Sequence, residues 1–147
     1  MARSAAVYRV NGKLIVAPII RTTTGLGLEV DPEVIDLEFG PNALADSIKK
    51  ALLASDRVVP HPAQDRWKGF FEPFQNAAGV RSYKAFMKDA ECVSVRTTND
   101  GLKLTPQRNL GSKAGFEPVS DKVVMLEAED YGAAATTVLA MIGISAG

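Results

Sequence analysis

Val7-Tyr8-Arg9-Val10-Asn11-Gly12-Lys13-Leu14-Ile15-Val16 decides the fold. Two β-prone runs flank an Asn-Gly pair, and both turn positions tolerate a positive φ, so the stretch reads as a tight β-hairpin. A second one follows the same logic: Cys92 to Thr97 and Leu102 to Thr105 flank Asn99-Asp100-Gly101, and Pro106 is expected to end the return strand. Between the two, Val34 to Phe39 alternates as a half-buried strand, with Ile35, Leu37 and Phe39 on one side. Val123 to Glu127 reads as a last strand.

Helices fill the gaps. After Gly40-Pro41, Asn42 is placed to cap a helix whose apolar stripe is Leu44, Ile48, Ala51 and Leu52, with Asp46 and Lys50 paired four apart. Pro60-His61-Pro62 marks an extended loop. Trp67, Phe70, Phe71 and Phe74 follow at helical offsets and are expected to be core, with Pro73 dividing the segment into two helical pieces and Gly79 ending the second. Ser82 caps a short helix carrying Tyr83, Phe86 and Met87, whereas residues 107–118 read as a polar loop. Asp130 to Ile144 forms the last helix, with Ala135, Val138, Leu139 and Ile142 inward. The expected fold is α+β: a largely antiparallel sheet of two hairpins plus further strands, packed against about four helices. The 147 residues contain no repeat or long linker, so residues 1–147 are expected to be a single domain.

Composition narrows the function. Lys plus Arg count 17 and Asp plus Glu count 17, which disfavours a nucleic-acid binder, since such proteins must replace counterions along phosphates. Cys92 is the only cysteine, so no internal disulfide can form and a reducing, cytoplasmic setting is expected. No apolar run is long enough for a membrane span.

Catalytic chemistry finds little support. One His and one Cys do not make a zinc site; His61 with Asp65 would supply only two ligands. Cys92 lies in an alternating strand and reads as a buried structural thiol. Gly25-Leu26-Gly27 lacks the third glycine of a dinucleotide site, and Gly111-Ser112-Lys113 is no phosphate loop. Glu127, Glu129 and Asp130 crowd a helix start, where acids cap and complement the helix dipole. No cofactor is expected, and the chain is read as no enzyme.

Ala51-Leu52-Leu53-Ala54-Ser55, the proline loop leading to Trp67, and above all Ala78-Gly79-Val80-Arg81-Ser82-Tyr83-Lys84-Ala85-Phe86 resemble the CdiI immunity family of contact-dependent growth inhibition, whose corresponding stretch reads A-G-V-K-S-W-K-A-F. Leu104-Thr105-Pro106 and Gly115-Phe116 also fit its pattern, and the resemblance runs from about Pro41 to Pro118. It implies a cytoplasmic antidote that binds the C-terminal toxin domain of a CdiA effector, often a nuclease, and blocks its active site. The resemblance carries no contact residues. A nuclease site is basic, so an inhibitor should present acids to it, and Asp56, His61, Asp65, Glu72 and Asp100 are the interface candidates. Two alternatives remain open: a small nucleic-acid-binding module using Arg108, Lys113 and the aromatic set, and a hydrolase using Glu127 and Glu129.

Overall fold

The computed structural model describes residues 2–35, 40–63 and 67–142. β1 (Ser4–Val10) and β2 (Lys13–Thr22) form the first hairpin, with Asn11 and Gly12 at φ 53° and 74° in its turn. β3 (Gly27–Glu29) and β4 (Glu33–Ile35) pair antiparallel with β2, while β5 (Val58–Val59) pairs in parallel with Arg21 and Thr22. β6 (Glu91–Thr97) and β7 (Leu102–Asn109) form the second hairpin, and β6 docks antiparallel on β1. β8 (Phe116–Pro118) and β9 (Val124–Leu126) line the outer side of β7. The main path is β3-β2-β1-β6-β7-β8, so the two hairpins meet at the centre of one largely antiparallel sheet.

Helices cover both faces of that sheet. α1 (Gly40–Ala54) and α4 (Tyr131–Met141) close one face over Val7, Leu14, Val16, Val93, Val95 and Leu104. α2 (Trp67–Ala78) and α3 (Tyr83–Met87) close part of the other, over Tyr8, Val10, Ile15, Ala17 and Cys92. Alternate residues of β1 therefore enter different cores, which is why its sequence is apolar on nearly every position. The architecture is α+β with an antiparallel sheet and four α-helices among the described residues. None of these helices is long and apolar enough to cross a membrane.

Several local expectations are corrected. Asn42 is not a cap: α1 begins at Gly40, because Pro41 is preset for a helical first turn. Lys50 bonds across to Glu33 at 3.0 Å, and Asp46 is not its partner. Pro73 lies inside a continuous α2. Its missing N–H frees the Gly69 carbonyl, but Gly69, Glu72 and Pro73 are exposed, so water can satisfy that oxygen. Gly79, at φ 72°, closes α2 with Val80 N bonded to Gln75 O and Gly79 N to Asn76 O, a Schellman ending.

Pro106 does not end β7, which continues to Asn109. Val119 N donates to the Pro106 carbonyl, so the backbone polar groups of Pro106 point away from β6. The absent N–H thus falls in the gap between β8 and β9, where it breaks no ladder. The 107–118 segment is a short hairpin instead of a loop, turned by Gly111 and Gly115 at positive φ. Of the aromatic stripe, Phe74 is buried and Phe71 half-buried. The side chains of Trp67 and Phe70, and residues 36–39 of the strand expected to reach Phe39, lie outside the described residues.

Candidate functional site

β2 runs on past the start of β1, and the Thr22-Thr23-Thr24 run at its end pins the proline loop. Thr22 is buried; its Oγ1 accepts from Leu26 N at 3.2 Å and meets Thr24 Oγ1 at 2.9 Å. Thr24 Oγ1 in turn lies 2.9 Å from His61 Nδ1, and His61 N donates to Thr23 Oγ1 at 3.2 Å. His61 is thereby an exposed ring on a fixed support.

Asp56 and Asp100 hang from the neighbouring end of β1. Ser55 Oγ donates to Leu52 O at 2.7 Å, closing α1, and accepts from Ser4 N at 3.1 Å. Asp56 follows directly, 3.7 Å from the Arg3 guanidinium. Thr97 N donates to Arg3 O, and Thr98 Oγ1 accepts from Asp100 N and Gly101 N, shaping the β6–β7 turn that carries Asp100 outward. The antiparallel register puts the start of β1 beside the ends of β2 and β6. The fold thus gathers Asp56, His61 and Asp100 at one end of the sheet. Glu72 is exposed on α2, apart from that end, and Asp65 lies outside the described residues.

Beside this end lies a surface that sequence reasoning missed. On the face carrying α2 and α3, the helices stop short of the outer half of β6 and β7. Ser94, Arg96, Lys103, Thr105 and Gln107 occupy that uncovered half, with Arg96 and Lys103 directly opposite each other. The signal was present: in the second hairpin, Val93, Val95, Leu102 and Leu104 alternate with polar and charged residues, so one face had to meet water.

The covered half of the same face holds a second group. Tyr8 OH donates to Glu29 Oε1, and Tyr8 is enclosed by Phe74, Phe86 and Phe116 at ring separations of 6.1, 5.5 and 5.8 Å. Burial raises the Glu29 pKa, while the Tyr8 hydrogen bond offsets part of the rise. Burial, then the nearby Glu29 charge, pushes the Cys92 thiol well up. Cys92 is buried, and its register partners are Tyr8 and Gln107, whereas His61 sits at the end of β2. Burial keeps the thiol protonated, and a buried protonated thiol packs as a small hydrophobe.

The remaining candidates resolve into local roles. Asp130 Oδ1 accepts from Ala133 N at 3.1 Å and caps α4. Arg108 pairs with Glu117 at 3.7 Å across the β7–β8 hairpin. An open cleft of about 870 Å³ between α3 and the β7–β8 turn is lined by Lys84, Lys88, Asp89 and Asn109 among others. The Asn109 amide there donates to Met87 O and Ala90 O, fixing α3 to β7. Among the described residues no three His, Cys, Asp or Glu side chains are grouped to hold a metal.

Comparisons with known proteins agree on the fold. The structure resembles a protein of unknown function from Neisseria meningitidis, with 16% identity, a TM-score of 0.74, and coverage of 97% of this chain and 94% of that one. It also resembles a chain of a CdiA-CT/CdiI toxin and immunity complex from Yersinia pseudotuberculosis, with 12% identity, a TM-score of 0.69, and coverage of 96% and 97%. No curated protein matches by sequence. The model of the CDI immunity protein family, CdiI, matches residues 14–139, from the first hairpin to α4. A match over that much of the chain shows that this protein belongs to the CDI immunity protein family.

Proposed function

We propose that residues 1–147 act as one immunity domain that binds the C-terminal toxin domain of a cognate CdiA effector in the cytoplasm and neutralises it, without a catalytic step of its own. The family match over residues 14–139 carries this reading. The likeness to a chain of a CdiA-CT/CdiI toxin and immunity complex supports it, because that complex joins a CdiA toxin to an immunity protein. The toxin is a nuclease in this reading, and the immunity protein covers its active site. A specific complex of this kind buries about 1,200–2,000 Å² in total.

Asp56, His61 and Asp100 form the proposed rim contacts, joined by Asp65 and Glu72. Acids at a rim act mainly on the encounter with a basic site and set the association rate. Asp100 is the best placed, on a rigid hairpin tip, whereas Asp56 is partly neutralised by Arg3.

The test is expression of the cognate CdiA toxin domain in cells with and without this protein, followed by association kinetics of the purified pair. Protection together with a rate that falls as salt rises is expected, and Asp100→Lys should slow association more than it speeds dissociation. Equal killing in both cell types would overturn the immunity reading. Protection with salt-independent association would remove only the acidic-rim mechanism.

A further inference from the structure

We infer that the open half of the β6–β7 face seats an acidic segment of the toxin partner, with Arg96 and Lys103 as paired cationic anchors. The inference rests on the immunity reading and adds to it the surface and the chemistry of recognition.

Arg96 and Lys103 are register partners on adjacent strands and project from the same face. Like charges directly opposite each other across two strands repel. Nothing in the described fold relieves that repulsion. The ion pairs join Arg3 to Asp56, Lys50 to Glu33, Arg57 to Asp31 and Arg108 to Glu117, and none reaches Arg96 or Lys103. The other strand neighbour of Arg96 is Ser4, which carries no charge. Two opposed cations on an uncovered face leave a place that a counter-charge from outside would fill.

The surroundings suit a carboxylate. Two hollows, of about 440 and 480 Å³, flank the pair, and Arg96 and Lys103 border both. The floor is fixed: Gln107 Nε2 donates to Ser94 Oγ at 3.2 Å, and Ser94 Oγ to Thr105 O at 3.4 Å. Directly opposed strand residues hold their Cβ atoms roughly 5 Å apart, so both cationic heads can reach one acidic segment.

A nucleic acid fits less well. No aromatic side chain lines either hollow, so no base could stack there. The chain carries 17 basic and 17 acidic residues, a balance that disfavours binding along a phosphate backbone.

Lys103→Glu separates recognition from folding. It replaces repulsion across the hairpin by attraction to Arg96, so thermal stability should hold or rise. Binding to the purified toxin domain, measured by titration calorimetry, should weaken by about tenfold or more. Arg96→Gln and Lys103→Gln, which remove charge without adding an acid, should weaken binding several-fold and flatten its salt dependence. A wild type that binds, beside folded Lys103→Glu and Lys103→Gln variants of unchanged affinity, would overturn the inference and leave the immunity reading standing. A wild type that does not bind the toxin domain would sink both. A single-stranded RNA oligonucleotide serves as a parallel probe: RNA bound by the wild type and lost on Lys103→Glu would assign the face to nucleic acid and overturn the inference.

Discussion

Tyr8 OH, in the central strand, donates its hydrogen bond to the Glu29 carboxylate on an edge strand, so a buried hydroxyl fastens the short β3 to the core on the α2–α3 face. The Glu29 pKa is raised chiefly by burial, so the folded state holds its proton more tightly than the unfolded chain does. The stability from neutral Glu29 is complete below the unfolded pKa of about 4.3 and is lost as pH rises through the higher folded value. Urea unfolding of wild type and Glu29→Gln across that window should show an advantage for Gln that grows with pH. An advantage that shrinks with pH would mean the carboxylate is stabilised in the fold. Tyr8→Phe should cost about 0.5–1.5 kcal/mol, since it removes the hydrogen bond to a half-buried acceptor.

Cys92→Ser should leave toxin protection intact and cost little stability near neutral pH. The wild-type thiol has a raised pKa, so its neutral form stabilises the fold, and that contribution falls away as pH rises above the unfolded value of about 8.5. The alkaline loss of stability should therefore be smaller in Cys92→Ser. Loss of protection in a folded Cys92→Ser protein would reopen thiol chemistry.

Phe86 is 2% exposed and its ring lies 5.5 Å from Tyr8 and 5.1 Å from Phe71. Phe86→Ala should cost about 3–5 kcal/mol by denaturant unfolding, as truncation of a buried aromatic does. A loss under about 1 kcal/mol would show that the α2–α3 layer is not a packed core.

Two glycines should respond in opposite directions. A Cβ on Gly101 would collide with the Leu126 carbonyl oxygen, so Gly101→Ala must push β9 from β7 and should cost about 1–3 kcal/mol. Gly69 has open space around it inside α2, and Gly69→Ala should stabilise by about 0.5–1 kcal/mol. Paired thermal melts of the two variants decide both.

The parts of the fold legible in the sequence are those written in short-range patterns. Asn11-Gly12 sets the first hairpin, Ser82 and Gly79 mark helix ends, and the Val93, Val95, Leu102 and Leu104 alternation sets the second hairpin. Pro73 and Pro106 misled because a proline's cost depends on what its missing N–H would have met, and at both sites that is solvent or a gap. The Tyr8–Glu29 bond was invisible because it depends on which elements pack nearby, whereas the alternation of the second hairpin marked a wet face and only the strand register sets Arg96 opposite Lys103. Asp56, His61 and Asp100 were chosen for charge and loop position, and only the strand register brings them to one end.

β1, at the centre of the sheet, also has a temporal meaning. Its partner β2 leaves the ribosome directly behind it, but its other partner β6 spans Glu91–Thr97, and the helix completing one core is α4, at Tyr131–Met141. Ser4 cannot meet Arg96 until most of the chain has been synthesised. Closure of such distant pairings is slow and late. A newly translated copy therefore completes the core between the sheet and the α1–α4 pair only after Met141 has been made, so its folding trails its synthesis.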